Sequence, residues 1–403
     1  MKAAAPIAPA VSFTELHPSR TVFAPRSTLE RVCWVLHEEF RIDALTGLTL
    51  GLMGDMPLIC HQSVASPPIL HFFLESGLQP ARQLTLYKTE TEAIVRARDQ
   101  LQRGKRLVYV YPPPPELEAP EGLLVPVPLY RWLNDKANLG ELVADRYLPP
   151  NRLLAPDELA ALSEFRPGEP VFVKACHSGA CGAGKDVRFC PDAESRAQAA
   201  AWLSARQATL SGVRVEAALD MGSCWCLSLA IGETGVRYLG AAVQLFGAPG
   251  QQTGSRIDPE DCPPAEVVRI ATTIGDRARQ LGYRGIAGFD VGLTVGGRAF
   301  VFDLNFRIAA STPQVLLHDA AVGRIEGRIT ESWTHLCQGD LAPALERLLP
   351  FARSGRFVPT RLSEATPASA GRSLVTGIIV GRSQADLIDL GAKLQRALIA
   401  ARP

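Results

Sequence analysis

No apolar run in the 403-residue chain approaches the roughly 20 residues a bilayer-spanning helix needs. Charge of one sign is also missing. Lys and Arg number 42 against 41 Asp and Glu, a net charge of +1, so nothing favours nucleic acid or a membrane surface as partner. Met1 to Ala10 is rich in Ala and Pro and lacks the apolar core of a signal peptide. It reads as a disordered tail. The nine cysteines are odd in number and form no disulfide framework. Cys224-Trp225-Cys226 has strand-like spacing rather than the CxxC of a zinc or redox site. These thiols read as free and mostly buried, which fits a cytoplasmic protein. No internal repeat is evident. No GKS or GKT closes a Walker A loop, and no Ser-His-Asp or Cys-His set stands out.

What is present is the composition of a globular protein, 47% hydrophobic and 21% charged, long enough for two or three domains. Residues 1–45 read as a leader, partly disordered, with a helix over Ser27–Phe40. From 46 to 130 strands alternate with helices: Leu48–Met53, Pro67–Ser76, Gln83–Tyr87, Thr91–Arg103 and Arg106–Tyr111. That alternation predicts a small parallel α/β domain. Pro112 to Pro120 is a proline-rich loop. A main region over 131–345 and a C-terminal βα unit over 346–403 complete the expected plan. The latter is a strand at Ser373–Val380 and a helix at Gln384–Ala400. Residues 314–349 are expected to be helical.

Three features carry chemistry. A helix around Trp132, capped by Asn134 or Asp135, places Lys136 near its start, where the helix dipole ordinarily favours acids. That position suits a phosphate or purine contact, or a solvated surface lysine. Lys174 stands inside the apolar strand Pro170–Ala175, where an ammonium must pair or point into a cleft. His177-Ser178-Gly179-Ala180-Cys181-Gly182-Ala183-Gly184 follows directly. Its small residues let backbone amides close on an anion, although such loops also serve as flexible hairpin tips. Phosphate contact and turn-capping are both open for His177.

The third feature is a hairpin over 287–307, turning at Gly296-Gly297. A two-residue loop pairs Val295 with Arg298 and Leu293 with Phe300, and sets Asp290 opposite Asp303. Such partners lie about 4.5–5.5 Å apart on one face, where two carboxylates repel unless a cation intervenes. Asn305 and Arg307 share that face at steps of two. Asp290, Asp303 and Asn305 suggest a Mg²⁺ site, an ion that prefers oxygen ligands and often uses one or two carboxylates beside phosphates, although a solvated hairpin face with scattered polar residues is the alternative.

Taken together, Lys174, the glycine loop, Glu216 in Val-Glu-Ala-Ala-Leu, and Asp290 with Asp303-Leu-Asn305 resemble the ATP-grasp superfamily over roughly 131–320. The resemblance implies an α/β ATP-grasp fold with an N-terminal parallel pre-ATP-grasp domain. It implies ATP as cofactor with two Mg²⁺ ions, Mn²⁺ being an alternative. Lys136, Lys174 and the loop residues His177, Ser178, Gly179, Gly182 and Gly184 would then hold phosphates. Glu216 would receive the adenine amino group, with Ala217, Ala218 and Leu219 along the ring. Asp303 stands where the family usually has Glu. The ribose-binding acid expected shortly after Glu216 is absent, with Asp220 or Ser223 as substitutes.

The Ser-Leu-Val-Thr-Gly-Ile-Ile-Val-Gly and Asp-Leu-Asn-Phe-Arg-Ile runs look like the peptide ligases of antibiotic biosynthesis typified by the pheganomycin ligase. The implied activity is ADP-forming ligation of a carboxylate to an amine through an acyl phosphate. Lys174 and Arg307 would serve the phosphoryl group, and Arg256 would hold a substrate carboxylate. Substrates would be amino acids or peptides, and a homodimer is compatible with this plan. Two alternatives stand beside it: a nucleotide-binding regulatory protein without turnover, and an ATP-grasp carboxylase or kinase acting on a simple acid.

Overall fold

A computed structural model describes residues 6–32, 34, 38–179 and 184–399. Three sheets organise them. The first is parallel, with strands β1 (Thr21–Phe23), β2 (Leu58–His61), β3 (Leu84–Tyr87) and β4 (Arg106–Val108) in the order β3-β2-β1-β4. The second holds β5 (Asn151–Leu154), β6 (Val171–Cys176), β7 (Val187–Cys190) and β8 (Gly212–Ala217), in the order β5-β8-β6-β7. The third is antiparallel and runs β13-β12-β9-β10-β11-β14-β16-β15. Its strands are β9 (Met221–Ile231), β10 (Val236–Ala248), β11 (Gln251–Ile257), β12 (Gly285–Thr294), β13 (Ala299–Asn305), β14 (Ile329–Gln338), β15 (Phe357–Ser363) and β16 (Arg372–Gly381).

The leader is more structured than its composition suggests. It supplies β1, and Ile7, Val11 and Phe13 join the core at 2% exposure or less. The Ile7 amide donates to the Gly77 carbonyl. Short helices Leu29–Val32 and Glu39–Leu45 replace the single expected one. Leu48–Met53 is buried, yet it is not a strand. Its amides bond three residues back, Leu50 to Gly47 and Leu52 to Thr49, so the apolar run forms packed turns. A short apolar run signals burial before it signals strand. Helix Glu90–Gln102 forms as expected. Thr89 accepts from the Glu92 amide, two acids occupy the first turn, and Gly104 follows at φ +69°.

The C-terminal βα unit completes the large sheet. After helix Thr312–Ile325 the chain leaves through Glu326 in the left-handed region. It then forms β14, which pairs with β11 and β16. β15 and β16 continue the same sheet as the hairpin β12–β13. One continuous apolar core spans the parallel domain and the large sheet. A smaller core of Leu154, Val171, Val173, Leu203, Val213 and Val215 belongs to the second sheet. Burying side chains of this kind stabilises by roughly 1.5–3 kcal/mol each.

Candidate functional site

The hairpin β12–β13 brings Asp290 directly opposite Asp303, by a route other than a two-residue turn. Leu293 pairs with Ala299 and Gly292 with Phe300, one step from a tight loop, and Gly297 donates to Thr294 inside a wider one. A bulge between Asp290 and Val291 takes up the extra residue and restores the acid pair. Burial, together with the Asp303 carboxylate, pushes Asp290 up to about 7. Hydrogen bonds from Gln244 and Cys226 and the nearby Arg307 oppose that rise. Asp290 Oδ1 is buried with no hydrogen-bond partner among the described residues. Asn305 donates to Asp303 at 3.4 Å, and Arg307 donates to Asn305 Oδ1. Two hard carboxylates, one with an unsatisfied oxygen, and an amide fit a small divalent cation such as Mg²⁺. The described residues contain no cluster of three His, Cys, Asp or Glu that could hold an ion without such help.

Lys136 lies against this acid pair. Helix Val127–Asn134 ends before it, and Asp135 caps the short turn 136–138 by accepting from the Ala137 amide. One helix thus ends at Asn134, and the expected one begins at Lys136 under its Asp135 cap and continues into Leu139–Leu142. Asn134 accepts from the Phe306 amide and locks this turn to the end of β13. Lys136 Nζ is 2.9 Å from Asp186 and 3.2 Å from Asp303. Asp186 has no part in the sequence reading, yet it is buried beside the glycine loop. Burial alone would raise its carboxyl, but Lys136 and His177 hold it far below the usual carboxylate range. Its only sequence signal is an acid following Lys185 at the start of the return strand.

Lys174 projects from β6, with Nζ 2.6 Å from Glu216 and 2.8 Å from the Phe302 carbonyl of β13. It thereby ties the second sheet to the hairpin that carries the acid pair. Glu216 also binds two cations. Its Oε2 meets Lys174 and its Oε1 accepts from Arg214 Nε at 2.8 Å, while the residue is 1% exposed. Each oxygen thus meets one cation and keeps a further lone pair for another donor. The Ala217 and Ala218 amides are given to the Pro150 and Pro170 carbonyls. Leu219 follows them on the segment into β9.

At the glycine loop, His177 stacks on Trp34 with ring centroids 4.5 Å apart and lies 3.6 Å from Asp186. It faces an aromatic ring and an acid. Ser178 and Gly179 lead outward from it. Gly182 lies outside the described residues. Gly184 sits at φ +65°, and a Cβ there would be 2.6 Å from the Gly250 carbonyl. This glycine therefore permits the loop to approach the β10–β11 turn.

Arg256 does not join the others. Ser255 pairs with Gln244, and Gln244 bonds Cys224 on the Asp290 side of the sheet. Arg256 is the next residue and points to the opposite face, against Glu331 of β14. Pleat alternation thus removes it from the acid pair.

Two family models match the chain. One, described as the L-aspartate–L-methionine ligase N-terminal domain, covers 12–131, and another, the ATP grasp of L-aspartate–L-methionine ligase, covers 149–305. Among solved structures, Staphylococcus aureus N5-carboxyaminoimidazole synthetase with ADP aligns at TM-score 0.58 and 12% identity, over 95% of this chain and 99% of that one. The Campylobacter jejuni biotin carboxylase aligns at TM-score 0.55 and 13% identity, over 94% and 90%. The Bacillus licheniformis L-amino acid ligase aligns at TM-score 0.52 and 13% identity, over 94% and 98%. At such identities the structures speak to fold alone, and that fold has the parallel N-terminal domain and antiparallel sheets described above. With both its N-terminal domain and its nucleotide-binding region matched, the chain belongs to the ATP-grasp superfamily of carboxylate–amine ligases.

Proposed function

We propose that the protein joins the carboxylate of one amino acid to the amine of another through an acyl phosphate, with ATP cleaved to ADP and phosphate. The names of the matching family models support an acidic amino acid as donor and an apolar amino acid such as methionine as acceptor. The observation that carries the reading is the facing pair Asp290–Asp303, with one buried oxygen unsatisfied and Lys136 and Arg307 alongside. Asp290, Asp303 and Asn305 would hold Mg²⁺, which supplies charge neutralisation to bound phosphates. Arg307 orients the transferring phosphoryl group, since a guanidinium binds phosphate oxygens bidentately. Lys174 reaches phosphate by leaving or sharing its bond to Glu216. The donor's carboxylate oxygen bonds to the γ-phosphorus, and the bond from that phosphorus to ADP breaks. The acceptor nitrogen then bonds to the acyl carbon. The bond from that carbon to the phosphate oxygen breaks, and the amine proton leaves with phosphate or to solvent. Such transfer asks chiefly for positioning and charge compensation. A reacting carboxylate is its own nucleophile, so no nucleophilic side chain is required. A role in antibiotic biosynthesis belongs to the same proposal.

The test uses a donor carboxylate labelled with ¹⁸O, incubated with enzyme, Mg²⁺, ATP and acceptor. One label per turnover is expected in inorganic phosphate. Label in AMP overturns the mechanism. Binding of ATP without product from any amino acid pair favours a regulatory nucleotide-binding protein, and a phosphorylated or carboxylated acid without amide favours a kinase or carboxylase.

A further inference from the structure

The face of the large sheet that carries Asp290 also carries a cation with no evident partner. Register follows that face across the sheet. Asp290 pairs with Cys226, Cys224 bonds Gln244, and Gln244 pairs with Ser255. The Ser255 amide is met by Ser332. Thr334, two residues beyond Ser332, pairs with Thr376, and Thr376 pairs with Arg361 of β15. Arg361 is half-buried, and its Nε is shielded from solvent without a hydrogen-bond partner. Among the described residues no carboxylate lies within ion-pair distance of it.

Its neighbours sharpen the contrast. Arg41 and Arg372 stack on Phe40 and both pair with Glu38. Each of them therefore has a carboxylate partner, which Arg361 lacks among the described residues. Arg361 feels the positive charge of Arg41 and the phenol of Tyr111, and burial weakens its hold on its proton to about 10, leaving it charged at neutral pH. Tyr111 in turn lies under Arg307, whose guanidinium carbon is 5.3 Å from the ring centroid. One tyrosine thus separates a guanidinium beside the metal hairpin from a second, uncompensated one. Holding an unpaired guanidinium partly out of water is costly. A planar carboxylate answers it with two parallel hydrogen bonds.

We propose that Arg361 anchors the non-reacting carboxylate of an amino-acid substrate, at the far side of Tyr111 from Arg307. This rests on the ligase reading and names a determinant of its substrate choice. A substrate with two carboxylates then spans the site, its reacting group toward Arg307 and its other group on Arg361. An acceptor amino acid offers the same carboxylate chemistry, and the two sources are separated by the experiment.

The variants are Arg361→Gln and Arg361→Lys. Equilibrium binding and ADP release are both measured with L-aspartate against its two monoamides, and with L-methionine against methionine amide. In the wild type the free acid should win over the amide for one of these substrates. Arg361→Gln should raise KM and Kd for that acid by about 30-fold, within the range of charge-assisted hydrogen bonds. It should leave KM for ATP unchanged, reduce kcat less than KM rises, and erase the preference over the amide. Arg361→Lys should recover part of it. Loss of preference toward aspartate assigns the donor, and loss toward methionine assigns the acceptor. Unchanged discrimination in Arg361→Gln, equal weakening of acid and amide, or a wild type that binds neither amino acid overturns the subsite. If Arg361 governs binding but no amino acid pair releases ADP, the ligase reading fails and the carboxylate subsite stands. Circular dichroism of Arg361→Gln should match wild type, since the change removes an unpaired charge.

Discussion

Lys136 bridges two carboxylates from different parts of the fold, 2.9 Å from Asp186 and 3.2 Å from Asp303. Asp186 is 1% exposed, so its charge depends on Lys136 and His177. Lys136→Met keeps the stem and removes the ammonium. Breaking a buried pair from one side costs about 3–5 kcal/mol, which should appear in urea unfolding. Asp186→Asn added to Lys136→Met should recover much of that loss, because the abandoned charge goes too. If the two substitutions simply add, the pair is not what stabilises this junction.

Asp303→Ala tests the metal site, and its effect on the fold should be small. The substitution removes the Asp303 charge that adds to burial in pushing Asp290 up to about 7, while Lys136 keeps Asp186. The apo protein should melt at an unchanged or higher temperature. Mg²⁺-dependent binding of a non-hydrolysable ATP analogue should disappear, with turnover falling by 100-fold or more, about the scale of losing one key electrostatic contact. Calorimetry of the analogue with and without Mg²⁺ distinguishes this from simple unfolding. Retained Mg²⁺ dependence would remove Asp303 from the ligand set.

The acid pair was legible in the sequence because a hairpin fixes register locally. Even there the match of Asp290 to Asp303 depended on a bulge that offset a wider turn. Lys174 was legible as a lysine in an apolar strand, but its bond to Glu216 joins β6 to β8 across 42 residues of sequence, and no local pattern announces it. Asp186 was invisible for the same reason. The face on which Arg256 lies follows from register across β10, β11 and β14, and β14 itself was hidden in a stretch with helical character. β1 and β2 escaped notice because short buried strands carry too few residues to show a period.

His17 gives the fold a pH dependence of known sign. It is 7% exposed, its Nδ1 is 3.1 Å from the Phe13 carbonyl, and burial lowers it to about 4. The folded state therefore refuses a proton that the unfolded chain accepts below its ordinary value of 6.5. Stability from this group is fully present above pH 6.5 and is lost as pH falls toward 4. The full loss is up to about 3 kcal/mol at 1.36 kcal/mol per pH unit. In urea titrations from pH 8 to 4, His17→Asn should flatten that part of the profile, whatever its effect at pH 8. An identical slope in the variant would place the dependence elsewhere.

Lys174 and Glu216 separate two roles that the sequence alone merges. Glu216 holds Lys174 at 2.6 Å and Arg214 at 2.8 Å, so its carboxylate organises two cations. If it also received the adenine amino group, Glu216→Gln would lower affinity for ATP more than for a nucleotide lacking that amine. The two cation contacts set a different expectation. Glu216→Gln should weaken the fold by about 1–3 kcal/mol, the scale of a charged hydrogen bond lost in the interior, and leave base preference unchanged. It should also release Lys174, so ATP affinity should hold or rise. Lys174→Met should do the reverse, lowering ATP affinity and turnover sharply while Glu216 keeps Arg214 and the protein stays folded. Combining the two should cost less stability than their sum, because each removes the same ion pair. ATP and inosine triphosphate binding to the three variants, beside their urea midpoints, decides the matter. A selective loss for ATP in Glu216→Gln would return that residue to the base pocket.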